Sequence, residues 1–146
     1  MEDSLNLERV LAAQEPIYQQ VLHELDIGVK TADRIWFFFP QIAGLGRRDM
    51  ARRYAISGRT EVRSYLVHPV IGNRLRDCTK LMLGHSGQLA DRILGAIDAL
   101  KVHSSMTLFA AVGPEVHAFD AALKDFFHGE PDERTIELLG TPEAGR

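Results

Sequence analysis

Apolar residues recur three and four positions apart along most of this chain, the spacing that lines one face of an α-helix. Leu5, Leu7, Val10 and Leu11 predict a first helix, with Ser4 as its N-cap. Pro16 interrupts the pattern. Proline suits the first turn of a new helix, where its missing N–H would have had no intrahelical partner. Ile17, Val21, Leu22 and Leu25 form the next stripe, which Gly28 stops. Residues 29–34 are polar and read as a loop. Residues 35–39 are apolar throughout, and so short a run fits a buried strand or one helical turn equally well. Pro40 holds Phe39 extended, and Gly44 and Gly46 predict a turn.

Asp49 is placed to cap a short helix running through Tyr54 and Ile56. Thr60 opens another, with Val62, Tyr65 and Leu66 on one face, and Pro69 restarts the chain as a helix carrying Leu75, Cys78 and Met82. A loop at 84–87 leads to a brief helix around Ile93 that Gly95 ends. Asp98 then caps a helix bearing Leu100, Val102, Met106, Phe109 and Val112, ended by Gly113 and Pro114. The last strong stripe is Val116, Phe119, Leu123, Phe126 and Phe127, stopped by Gly129; Pro131 and Asp132 open a terminal helix with Ile136 and Leu139. The expected fold is mainly α: a compact irregular globule of many short helices, not a regular up-and-down bundle. It is expected to be a single domain over residues 1–146, with a folded core at about 5–139 and a loose tail at 140–146.

Composition narrows the function classes. A length of 146 residues is enough to bury a core without disulfides or metal. A net charge of -3 argues against binding nucleic acid through bulk charge. Cys78 is the only cysteine, so no intramolecular disulfide can form, which fits a reducing compartment. The N-terminus has no basic segment followed by an apolar one, and no apolar run approaches membrane-spanning length. The expectation is a soluble cytoplasmic protein with no membrane partner and no cofactor.

Several landmarks stand in a distinctive order: Trp36-Phe37-Phe38-Phe39-Pro40-Gln41, Gly44-Leu45-Gly46, Ala51-Arg52-Arg53-Tyr54, Tyr65-Leu66-Val67-His68-Pro69, Leu75-Arg76-Asp77-Cys78-Thr79, Asp98-Ala99-Leu100-Lys101 and Ser104-Ser105-Met106-Thr107-Leu108-Phe109. Together they resemble the bacterial domain-of-unknown-function family 1810, from the first helix to Leu139. The resemblance implies a mainly helical single domain and brings no established activity. Asp33 and Arg34 depart from it, since family members often hold a histidine and an aromatic residue there. The segment 75–108 is also loosely similar to the NADAR type of small helical domain, linked to ADP-ribose derivatives.

Three groups of residues are candidates for chemistry. Asp98, Lys101 and Ser105 are spaced i, i+3 and i+7, so a helix puts them on one face, with Ser104 beside them. A carboxylate, an ammonium and hydroxyls there suit a phosphosugar, and Asp98 is the candidate general acid or base. The structural alternative is helix capping and back-bonding to carbonyls. Trp36, Gln41 and Tyr54 offer stacking surfaces and an amide, with the cluster Arg47, Arg48, Arg52 and Arg53 close by to hold phosphate. Gly-Leu-Gly lacks the full dinucleotide fingerprint, and no phosphate loop is present. His68, at a helix junction, is either an acid–base group or a helix-end partner. The six histidines and Cys78 show no metal-ligand spacing, so no metal is expected, and Cys78 reads as core packing. The first expectation is therefore a site for a small anionic, nucleotide- or ADP-ribose-like molecule, with ribosyl hydrolysis as its enzymatic form. The second is a non-catalytic protein-interaction module.

Overall fold

The computed structural model describes residues 7–28, 37–45, 55–85 and 87–140. Among them the chain forms eight helices: α1 (Leu7–Gln14), α2 (Tyr18–Ile27), α3 (Arg59–Val67), α4 (Ile71–Leu83), α5 (Ala90–Leu94), α6 (Ala96–Val112), α7 (His117–Phe127) and α8 (Glu133–Leu139). The mainly α expectation holds. The proline and glycine punctuation falls where the chain turns. Gly28 closes α2 in the left-handed region at φ 83°. After α7 two successive residues take positive φ, His128 at 59° and Gly129 at 74°.

α6 is the central helix. Val102 and every residue from Ser104 to Phe109 are buried, so it is enclosed on nearly all sides, and α3, α5, α7 and α8 pack around it. A helix covered in this way needs no apolar stripe opposite a polar one. α4 packs in turn on α2, α3 and α7. At the centre the Phe109 ring lies 5.4 Å from Tyr65 of α3 and 5.6 Å from Phe119 of α7, in the tilted arrangements that aromatic quadrupoles favour.

The run of phenylalanines resolves an ambiguity that periodicity left open. Phe37, Phe38 and Phe39 are all buried; Phe37 lies in a 3-10 helical turn and Phe38 and Phe39 carry on as a tight turn, so the segment is not a strand. β-Pairing among the described residues is confined to an isolated parallel bridge between Ile42 and Ile56, where Ala43 N–H donates to Ile56 O (2.8 Å) and Ile56 N–H donates to Gln41 O (2.9 Å). Ile56 is therefore part of this bridge and not of the expected helix; the rest of that segment, 46–54, lies outside the described residues.

A buried polar cluster anchors the turn. Gln14 Nε2 donates to the Phe37 carbonyl at 2.6 Å, and the Tyr65 hydroxyl donates to the same oxygen at 3.2 Å. Arg74 donates to Gln14 Oε1 at 3.2 Å, pairs with Glu15 at 2.6 Å, and lies 4.3 Å over the Tyr18 ring. A carbonyl buried without partners would cost roughly 1–3 kcal/mol, so these donors hold Phe37 in place.

Candidate functional site

Gly95 is the residue before α6, and Asp98 sits inside its first turn, so Asp98 is not the cap that its sequence position suggested. An acidic side chain there still faces the partly positive end of the helix. Asp98 Oδ1 stands 3.5 Å from Lys101 Nζ, with side chains only 14% and 21% exposed. Each takes part in further interactions beyond this pair. One turn on, Ser105 is fully buried and its Oγ has no hydrogen-bond partner. At 100° per residue these three positions fall within roughly 60° of one another around the helix.

Ser104 points elsewhere. Its hydroxyl donates to Leu100 O at 3.1 Å and lies 3.4 Å from Asp132 Oδ2. Asp132 caps α8 by accepting from Thr135 N–H at 3.0 Å, and its own N–H donates to Thr107 Oγ1 at 2.8 Å. Ser104 and Thr107 thus fasten the start of α8 to α6. His68 acts as a helix-end partner: its Nδ1 accepts from Val70 N–H and Ile71 N–H, both at 3.1 Å, at the start of α4. Gln41 is half-buried, with its backbone carbonyl in the Ile42–Ile56 bridge. Trp36, Arg52 and Tyr54 lie outside the described residues, as do Arg47, Arg48 and Arg53.

Tyr65 connects the aromatic turn to α6: its hydroxyl holds Phe37 while its ring packs on Phe109, one turn beyond Ser105. Burial pushes the Tyr65 hydroxyl well above the usual phenol range. It also pushes the Cys78 thiol up to about 12, with the nearby Asp77 charge acting in the same direction. A thiol kept protonated in this way is not a nucleophile. Among the described residues no three His, Cys, Asp or Glu side chains gather to hold a metal ion, and no helix is long and apolar enough to cross a membrane.

The tertiary structure also builds a cleft that the sequence reading did not single out. It measures about 210 Å³ and lies between the start of α5 (Leu89, Ala90, Asp91), one side of α6 (Ala99, Leu100, His103) and the end of α7 (Phe126, Phe127). The His103 ring lies flat on Phe127, 4.3 Å between centroids and 8° between planes. Its Nε2 is 2.7 Å from the Glu130 carbonyl. The sequence signal for it was slight: a histidine three residues beyond Leu100 on one helix, with two adjacent phenylalanines farther along the chain.

The family described as "Protein of unknown function (DUF1810)" matches residues 4–139. The conserved hypothetical protein Rv1873 from Mycobacterium tuberculosis, known from a crystal structure, is 41% identical. Its superposition covers 94% of this chain and 98% of that one, with a TM-score of 0.91. No curated protein matches the chain.

Proposed function

We infer that this chain, which belongs to the DUF1810 family, binds a small anionic molecule of nucleotide or ADP-ribose type along the Asp98–Lys101–Ser105 strip of α6. The observation that carries this reading is the Asp98–Lys101 pair, 3.5 Å apart on one face of α6, a carboxylate and an ammonium whose side chains keep 14% and 21% of their surface exposed. Lys101, together with Arg52, neutralises phosphate; Trp36 stacks, and Gln41 and Tyr54 supply further polar contacts. In the enzymatic form Asp98 takes a proton from a water molecule whose oxygen adds to the ribosyl carbon as the carbon–nitrogen bond breaks, and the nitrogen base leaves with the bonding electron pair and that proton. A non-catalytic interaction module is the second reading, and it draws on Ile97 and Leu100, 67% and 68% exposed near the start of α6.

Thermal unfolding with ADP-ribose, ADP and ribose 5-phosphate tests the first reading. A ligand at about 100 times its Kd stabilises the folded state by about 2.7 kcal/mol, which for a chain of this size raises Tm by roughly 5–10 °C. The rise should vanish in Asp98→Ala and Lys101→Ala while both variants still unfold cooperatively. No rise with any of the three compounds would overturn this reading in favour of the interaction module.

A further inference from the structure

α6 turns a second face, away from the Asp98–Ser105 strip, toward the cleft it shares with α5 and α7. We propose that this cleft is a binding site for a small organic cation: a primary ammonium group carried on an aromatic or aliphatic body.

Three features define the occupant. The first is size. An apolar cavity of about 150 Å³ holds benzene, so about 210 Å³ accepts one ring with a short tail. The second is the wall. Phe126 and Phe127 form one side, and Leu89 and Leu100 form the lips at 69% and 68% exposure, apolar surface that a ligand body would cover. The third is polarity. Among the described residues the polar side chains lining the cleft are Asp91 and His103, with no lysine or arginine beside them. The Glu130 carbonyl can only accept, so His103 Nε2 carries the proton that it donates there. In the neutral imidazole Nδ1 is then an acceptor, on a ring that stacking against Phe127 holds in place. The cleft therefore offers the Asp91 carboxylate and aromatic faces, with the His103 imidazole between them, and the carboxylate and the rings each favour a cationic donor over an anion.

NMR titration of the 15N-labelled protein with phenethylamine and, separately, with phenylacetate tests the assignment. The two compounds share a ring and a short tail and differ in the sign of the charge. Phenethylamine should saturate with a Kd on the order of 1 mM, the affinity of a ligand of that size, and move the Leu100, His103 and Phe127 amides. Phenylacetate should bind about two- to fivefold more weakly, the worth of a partly exposed charge contact. Asp91→Asn should bring the amine down to the level of the acid without affecting the acid. His103→Phe, which keeps the stack and removes the acceptor, should also weaken the amine alone. Equal affinity for the two compounds would overturn the proposal, as would shifts at other residues or no saturation by about 20 mM. Shifts in the cleft that follow protein concentration instead of ligand would overturn it too, and would mark this face as a contact between copies of the chain. None of these results depends on whether the α6 strip binds an anion.

Discussion

Gln14 illustrates what single residues contribute. It falls at the apolar spacing of Leu7 and Val10, where a polar residue stands out, and the structure buries it completely to hold the Phe37 carbonyl. It was not singled out from the sequence, because its partner lies 23 residues away, beyond the reach of spacing along one helix. Cys78 was legible without any partner, because its apolar helical setting already implied burial. Its chemistry makes stability depend on pH. The folded state keeps the Cys78 and Tyr65 protons, whereas the unfolded chain releases them at the ordinary values of 9.0 and 10.0. The folded form then binds more protons, so stability is unaffected below pH 9.0 and falls as pH rises above it, by up to about 1.4 kcal/mol per pH unit for each group. Urea unfolding across that range should reveal the decline. Cys78→Ala should lower stability at neutral pH through the cavity it leaves, yet have a shallower alkaline slope.

Helices and their ends were largely legible, with instructive departures. Gly95 precedes α6 where Asp98 had seemed the cap, because a carboxylate within the first turn and one at the cap look alike from spacing alone. Asp132 at α8 was readable, since Pro131-Asp132 followed by an apolar pair is a helix-opening pattern. The structure adds that this cap is shared: the Asp132 carboxylate holds Thr135 N–H, while its backbone N–H donates to Thr107 of α6. Asp132→Ala should therefore cost about 1–2 kcal/mol, the upper part of the N-cap range. Amide hydrogen exchange should speed up mainly in α8, where the lost acceptor is. Uniform loss of protection across all helices would contradict a local role.

At the scale of the molecule, the rings of Tyr65, Phe109 and Phe119 join three helices at one point. Phe109→Ala should cost about 3–5 kcal/mol, the range for a large buried ring. Because the ring touches both α3 and α7, the loss should lower a single cooperative transition. Far-UV circular dichroism and Trp36 fluorescence should then report the same midpoint. Separate midpoints would mean that the helices are held together elsewhere. The same cluster links the anchored Phe37 turn to the α6 strip, so a weakened centre should also weaken any ligand bound along that strip.

The sequence by itself determined the helical class, most of the places where helices stop, and the burial of Phe109, Phe119 and Cys78. These follow from spacing, proline and glycine, which act within a few residues. It also put Asp98, Lys101 and Ser105 on one face, since helix geometry alone does so. Only the tertiary structure decided that α6 is the centre, because its second half buries the polar Ser104, Ser105 and Thr107 together with Met106, Leu108 and Phe109. Only it separated the neighbouring hydroxyls, sending Ser104 to Asp132, 28 residues away, and leaving Ser105 buried without a partner. Only it assembled the cleft around His103, whose carbonyl partner lies 27 residues farther along the chain. Periodicity reports which side of a helix is covered; what covers it depends on how distant helices pack.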